Sequence, residues 1–593
     1  ARRPRRSSPG GSSHTKRPLH GSAMWPRVSV VALLGLHVAA DRAPNVVLLM
    51  SDQWRYDWTS FDLELIKTPT FDRIARLGTR FTRAVVPAPL CKPARAALAT
   101  GMHYPNSGVV SESKFEDIKP ELTTFYEHLR SGGVHTLTVG KDDLTLIKPG
   151  TQEKLGFSDG ARCYGKDVAS HVKKPIEAYM QHLDSKGLFA DFQQTEMHLC
   201  TTLANITTDQ YTCPHSADMA FGDYIDNWIA SEAQRLIREA PEDKPYFMQV
   251  NYAGPHPPLV VTKGMEGNDS ALERTWPLAH KSSTLDAATQ QLMRGHYATL
   301  IEHIEGLNDE ILRTMEARGD LNNSYVCVLS DHGEMLGDFW DESPFYEPLQ
   351  KNAPWQASIG VPMACMGPGI TAGRVVEEPV AIVDLASTVL EWQGVEVPST
   401  FEAVSLKGVM EGDAPDDRPV LSGLQYTDHI FSTSQRRFED GHVYKLVCCV
   451  GACPYGRDLR PAAEVPTTGW VRHLFDLTED PLEDRDLFSG ANATILATLG
   501  VAMPGLFRDC GVSTEGPSQD VVAGLASVEM SASGAISLED DEPHHSRSGV
   551  MRKGFLQRGG SRMDIEEAAM LQLELRLGAN EEMQPEAFVK DEL

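Results

Sequence analysis

The segment of this chain best equipped for chemistry is Cys91-Lys92-Pro93-Ala94-Arg95. A thiol precedes Ala94–Ala99, a run that strongly favours helix, and Thr100-Gly101 ends it. Pro93 suits the first turn of such a helix, because its missing N–H would be unpaired there anyway. Cys91 then stands at a helix N-terminus, where free N–H groups and the positive dipole end favour an anion. Arg95 lies four residues later on the same face, within reach of the same group.

Two acidic motifs stand just past apolar runs. Asp52-Gln53 follows Asn45–Met50, and Asp331-His332-Gly333-Glu334 follows Tyr325–Leu329. An isolated Asp after a strand is equally well a helix N-cap. Two that converge, with amide and imidazole partners, make a mainly oxygen-rich divalent site that suits Ca²⁺ or Mg²⁺ better than zinc.

The elements around these motifs supply the convergence. Asn45–Met50 and Tyr325–Leu329 read as strands buried on both faces, and Thr136–Val139 and Tyr246–Tyr252 as further strands. Pro69–Leu77, Leu122–Ser131, Ser216–Arg238 and Leu285–Arg318 have helical spacing. The alternation predicts an α/β layered core, and in parallel sheets the ligand crevice lies at the carboxyl ends of the strands. Gly160–Thr212 reads as an irregular insertion, and Arg418–Leu477 as short strands with turns.

Composition narrows the partners. The 593 residues, 41% hydrophobic and 23% charged, allow one large domain and a smaller one. The formal net charge of −27 argues against nucleic acid, so an anionic substrate must be held by local cations. Ten cysteines, with Cys91 set aside, leave an odd number, so at least one stays free or pairs between chains. Cys448-Cys449 with Cys453 lacks a second pair at zinc spacing and reads as disulfides or free thiols.

The chain ends make a joint expectation. Residues 1–23 read as a basic disordered arm or translated upstream sequence. Residues 24–40, with Arg27, the apolar run Val28–Leu36 and Val38-Ala39-Ala40, read as a signal peptide. No run in the mature chain is long enough to span a bilayer. Residues 511–593 are Ser/Gly-rich, then acidic, with Ile565–Leu577 as one amphipathic helix before Lys590-Asp591-Glu592-Leu593, an address for the ER-retrieval receptor. Sequons at Asn205, Asn268, Asn322 and Asn492 agree with an endoplasmic reticulum lumen.

Taken in order, Asn45–Arg55, the Cys91 pentapeptide, Gly140-Lys141, Pro255-His256-Pro257, Leu329–Glu334, Lys351 and Gly367-Pro368-Gly369 resemble the type I, formylglycine-dependent sulfatases of the alkaline-phosphatase-like superfamily. The similarity covers residues 42 to 510. It implies a large mixed, mainly parallel sheet sandwiched by helices (42–415) and a smaller C-terminal α+β domain (416–510). It implies that a formylglycine-generating enzyme converts Cys91 to Cα-formylglycine, and that Asp52, Gln53, Asp331 and His332, with residue 91, bind the metal. Arg95, Lys141 and Lys351 would position or neutralise the site, and His256 would face the leaving oxygen. One hydroxyl of the hydrated aldehyde attacks sulfur in line, and loss of the second hydroxyl's proton then expels sulfate.

One departure stands out. Many members have His two residues after the first lysine, whereas this chain reads Lys141-Asp142-Asp143. Asp143 then accepts the proton in the elimination step, or marks a different substrate. A similar pattern in a uronate-sulfatase-like branch points towards a carbohydrate sulfate rather than another small-molecule ester. Two other readings compete: a phosphonate or phosphate diester hydrolase of the same superfamily, and a non-catalytic ER-resident binding protein.

Overall fold

A computed structural model describes residues 42–510, apart from 111–117, 120, 146, 148–149, 167–173, 195–220, 263, 266–269, 341–348, 350, 426–428, 452–470, 504–506 and 508–509. The signal segment, the tail with Lys590–Leu593, the sequons at Asn205 and Asn268, and Cys200, Cys213 and Cys453 lie outside the described residues.

Strand β1 (Asn45–Asp52) is buried along its whole length, as its unbroken apolar run requires. With β2 (Thr79–Val85), β3 (His135–Lys141), β4 (Asp159–Cys163), β5 (Tyr246–Pro255), β6 (Ser324–Ser330), β7 (Gly360–Met366), β8 (Arg374–Val376) and β9 (Val380–Ala381) it forms one sheet. The order is β4-β3-β5-β1-β6-β7-β2-β8, with β9 on β2. Pairing is parallel except where β7 meets β6 and β2. Asn45 pins the start of β1, donating to Ser324 Oγ (3.2 Å) on β6 and accepting from Tyr246 N (3.1 Å) on β5.

Alternate residues feed two cores. Val47, Leu49, Val250 and Val328 join helices Ile225–Glu239 and Ala287–Arg318 on one face. Val46, Leu48, Met50 and Leu329 join Leu98, Phe125 and Leu385 on the other. This is the mixed, mainly parallel sheet between helical layers that the sequence implied.

A separate antiparallel sheet follows: β10 (Val420–Gln425), β11 (His429–Arg437), β12 (Val443–Gly451) and β13 (Val471–Asp476). One face packs Ile430, Leu446 and Leu474 against Leu499 of helix Ala493–Ala502 and its C-cap residue Met503, beside the Cys448–Cys510 disulfide. The other sets Leu424, Phe431 and Cys449 against Leu90. A second disulfide joins Cys327 and Cys365, which face each other across β6 and β7. Cys91 and Cys163 take part in no disulfide. Among the described residues no helix is long and apolar enough to cross a membrane.

Some expected elements need correction. The stretch taken as an irregular insertion begins with β4, the edge strand of the large sheet, and continues into helices Ala178–Ser185 and Phe189–Gln194. Five residues reading Asp-Gly-Ala-Arg-Cys carry too short a pattern to reveal a strand. The helix expected from Leu122 begins at Phe125, because Thr124 and Glu127 form a capping box. In the described part of the helix expected over Ser216–Arg238, Phe221–Asp223 is a 3₁₀ turn and the α-helix starts at Ile225.

Helix α1 (Pro69–Leu77) receives no side-chain cap from Thr68. Its cap comes from afar: Glu305, buried in helix Ala287–Arg318, accepts from Thr70 N (2.9 Å) and Phe71 N (2.8 Å). Burial raises the Glu305 carboxyl to about 7, against the pull of those N–H groups. A native carboxyl titrating above its unfolded value binds extra protons in the folded state. Its stabilising contribution is therefore complete below the unfolded value and lost as pH rises through about 7. Glu305→Gln should accordingly gain on the parent between pH 5 and pH 8, by on the order of 2–3 kcal/mol. Urea melts of both proteins at the two pH values check this, and a difference that does not change with pH refutes it.

Candidate active site

Adjacent strands β3, β5, β1 and β6 end on one edge of the sheet, all parallel. Their carboxyl ends bring up Lys141, His256, Asp52 with Gln53, and Asp331 with His332. That edge is where a parallel sheet opens its crevice. Gly140 is needed there: it sits at φ +88°, and a Cβ would come 1.9 Å from the Asn251 carbonyl oxygen on β5.

Helix α2 (Cys91–Thr100) delivers the thiol, and Gly101 closes it in the left-handed conformation at φ 63°. Cys91 Sγ lies 3.1 Å from His332 Nε2, 3.6 Å from Asp52 Oδ1 and 3.8 Å from Lys141 Nζ. Asp52, Cys91, Asp331 and His332 are all buried, and one ligand atom from each lies within 4.8 Å of the others. His332 Nδ1 donates to the Gly333 carbonyl (3.0 Å), so the Nε2 lone pair faces the cluster. Gln53, at φ 75°, donates its backbone N–H to Asp331 Oδ1 (3.0 Å) and turns its amide oxygen to Lys351 Nζ (3.1 Å).

Arg95 shares one partner with Cys91, the Asp52 carboxylate. It is 1% exposed and reaches beneath the sheet edge. Nε donates to Asp331 Oδ2 (2.8 Å), Nη2 to Asp52 Oδ2 (3.2 Å) and Nη1 to Asn251 Oδ1 (3.2 Å) and the Lys141 carbonyl. Its length carries the guanidinium past the helix end and onto the two carboxylates, which it holds apart from each other's repulsion.

Lys141 Nζ pairs with Asp52 Oδ2 (2.9 Å) and reaches Asp143 Oδ2 (3.4 Å). Lys351 Nζ is 2.7 Å from His256 Nε2, and His256 Nδ1 donates to the Pro257 carbonyl (2.6 Å). Burial works to raise the Asp52 carboxyl, but Lys141, His256, Arg95 and His332 together hold it well below the usual carboxylate range. Burial, then Lys351 and Lys141, push His256 well below its ordinary value. With Nδ1 donating to the Pro257 carbonyl, Nε2 is left to accept from the Lys351 ammonium.

Every residue proposed from sequence falls in this one cluster. Two contributors were missed. Glu334, inside a quoted motif but given no role, accepts from the Gln53 amide and from Leu336 N (2.7 Å). Asn251 anchors Arg95 from inside an apolar strand, where no spacing singles it out.

A family model described as Sulfatase matches residues 44–395. An arylsulfatase of Clostridium perfringens is 25% identical over 400 residues, spanning 62% of this chain and 78% of the relative. An ulvan-active sulfatase of Formosa agariphila is 26% identical over 385 residues, 64% of this chain and 67% of the relative. Among solved structures, the phosphonate monoester hydrolase of Agrobacterium radiobacter superposes with a TM-score of 0.59 at 20% identity, covering 76% of this chain and 93% of that one.

Proposed function

The chain belongs to the sulfatase family and is a sulfuric ester hydrolase, and we propose that it works through residue 91 after oxidation of Cys91 to Cα-formylglycine, beside a divalent cation. The observation that carries this reading is the Cys91 side chain at a helix N-terminus, inside a buried cluster of two carboxylates and an imidazole.

The donor set fits a cation once residue 91 carries oxygen. A thiolate with imidazole and carboxylates is a mixed set that suits zinc. With oxygen at residue 91 and the Gln53 amide nearby, it becomes the oxygen-rich set that favours Ca²⁺, with Mg²⁺ second. Bound there, the cation supplies Lewis acidity to the oxygen of residue 91.

The chain's own side chains divide the remaining work. Arg95 pins Asp52 and Asp331 in place. Arg95, Lys141 and Lys351 set three cations among Asp52, Asp331, Asp143 and Glu334, so that with a divalent cation bound a sulfate ester would meet a positive site on a strongly acidic protein. Lys351 holds a proton 2.7 Å from His256 Nε2, and the pair can deliver it to the departing alcohol. Asp143, in place of a histidine and 3.4 Å from Lys141, is placed to accept a proton when sulfate is released. The ulvan-active relative, and a solved neighbour in complex with D-glucosamine-2-N,6-O-disulfate, favour a carbohydrate sulfate.

Two disulfides among the described residues support an oxidising lumen, and the sequon residues Asn322 and Asn492 are exposed. One peptide map of protein recovered from its own secretory lumen tests the reading. The peptide holding Cys91 should have the aldehyde mass and react with hydrazides, Asn322 or Asn492 should carry glycan, and the same sample should turn over an aryl sulfate faster than a phosphodiester. Wholly unconverted Cys91 in active protein would overturn the mechanism.

A further inference from the structure

We propose that a buried ion pair outside the crevice, Lys445–Glu483, positions Lys351; the inference rests on the catalytic role given to Lys351 above.

Lys351 belongs to no helix or strand. The segment that follows it, Asn352 to Trp355, reaches the short helix Gln356–Ile359 through bends. Lys445 on β12 and Glu483, beyond β13, are 0% and 2% exposed and pair at 2.5 Å. Each also spends a hydrogen bond on that segment's backbone. The Lys445 ammonium donates to the Pro354 carbonyl, and Glu483 Oε2 accepts from Gln356 N (2.6 Å). Pro354 is three residues from Lys351, so an anchor there restricts the Lys351 Cα to within roughly 10 Å of a fixed point.

The segment is held at its other end as well. Asn352 N donates to the Pro89 carbonyl (3.2 Å), two residues before Cys91. Trp355 stacks on Phe339 with ring centroids 3.9 Å apart. Asn352 (φ 77°) and Glu483 (φ 57°) both adopt left-handed backbone, which a residue with a Cβ keeps only where its surroundings over-determine it. Nearby, Gly423 N of β10 donates to the Pro87 carbonyl (3.0 Å), and Leu424 and Phe431 pack on Leu90. The second sheet therefore grips the backbone that leads to Cys91 and the backbone that leads away from Lys351.

An ion pair this deep is a poor way to gain stability alone, because desolvation offsets most of the attraction and apolar residues of the same size do as well. What the pair offers instead is directional: two charged groups fix one carbonyl and one N–H of the same short segment. Lys445 and Glu483 thus act as positioning residues through Lys351, and neither touches substrate.

The test is the double variant Lys445→Met/Glu483→Gln in the full chain. It removes both charges together and leaves Gln356 N a neutral amide oxygen, a weaker acceptor than the carboxylate. Glu483→Gln alone, which keeps the Lys445 bond to Pro354, is the milder companion. With an aryl sulfate, kcat of the double variant should fall roughly 10–100-fold while KM moves little, as expected when a catalytic group is displaced by about 1 Å. In a Lys351→Ala background the same double substitution should change kcat by no more than about twofold, because the group it positions is gone. The amides of Asn352 and Gln356 should exchange with deuterium faster in both backgrounds. An equal fall in kcat with and without Lys351, or an unchanged kcat in the parent background, overturns the proposal. Unchanged exchange at both amides overturns it independently of turnover, so failure of the sulfatase reading is told apart by the parent enzyme's own inactivity.

Discussion

Asp331→Asn is expected to lower sulfate ester turnover at least about 10³-fold, the scale on which deleting one strong electrostatic stabiliser acts. This carboxylate organises more than its own position. Oδ1 accepts from Gln53 N (3.0 Å) and His332 N (2.8 Å), and Oδ2 accepts from Arg95 Nε (2.8 Å). An amide has one acceptor oxygen, so whichever way it turns, an NH₂ group faces either the backbone N–H pair or the guanidinium. On the proposed mechanism the change takes away a metal ligand, and it loosens Gln53 and His332 at the same time. It also leaves Arg95, 1% exposed, with Asp52 as its remaining carboxylate partner. Breaking one side of a buried pair costs about 3–5 kcal/mol, so the variant should melt earlier and must be assayed well below its transition. Chelation of the parent should reproduce the activity loss, and restoring the metal should reverse it. Full turnover by folded Asp331→Asn, or by parent verified to be metal-free, would remove the metal from the mechanism.

The same buried contacts explain what the sequence could and could not say. Strands β1 and β6 are legible because burial on both faces demands unbroken apolar runs, and the acids that end those runs stand out by contrast. Strand β2 alternates Thr, Arg, Phe, Thr, Arg and carries no such run. Strand β7 contains Pro362 and opens on Gly360, so it reads as a turn although it is buried throughout. The site was legible where its residues form short motifs: Cys91 to Arg95, Asp52-Gln53 and Asp331-His332. It was illegible where tertiary contact alone assigns the role. Nothing local distinguishes Asn251 from any polar residue near a strand end. Nor can spacing show that Arg95 ends on Asp52 and Asp331, two carboxylates from strands far apart in sequence.

Cys91→Ser should abolish steady-state turnover yet leave one chemical event intact, and this separates the self-releasing mechanism from simple displacement by water. A serine hydroxyl at residue 91 would occupy the same helix N-terminus, within the same buried cluster of Asp52, Asp331 and His332. It can attack sulfur once: an O–S bond forms, the bond to the substrate oxygen breaks, the proton held between Lys351 and His256 goes to the leaving alcohol, and the serine's own hydroxyl proton replaces it on that pair. The resulting sulfate ester on residue 91 has no second hydroxyl on the same carbon. No proton can then be withdrawn, through Asp143 or any other group, to push sulfate out. An aryl sulfate should therefore give a burst of at most one equivalent of phenol per enzyme, followed by a rate at least about 10³-fold below that of the converted parent. The peptide holding residue 91 should gain the mass of SO₃ after exposure to substrate. Sustained turnover by this variant would mean that water attacks sulfur directly, and that the aldehyde is not needed for release.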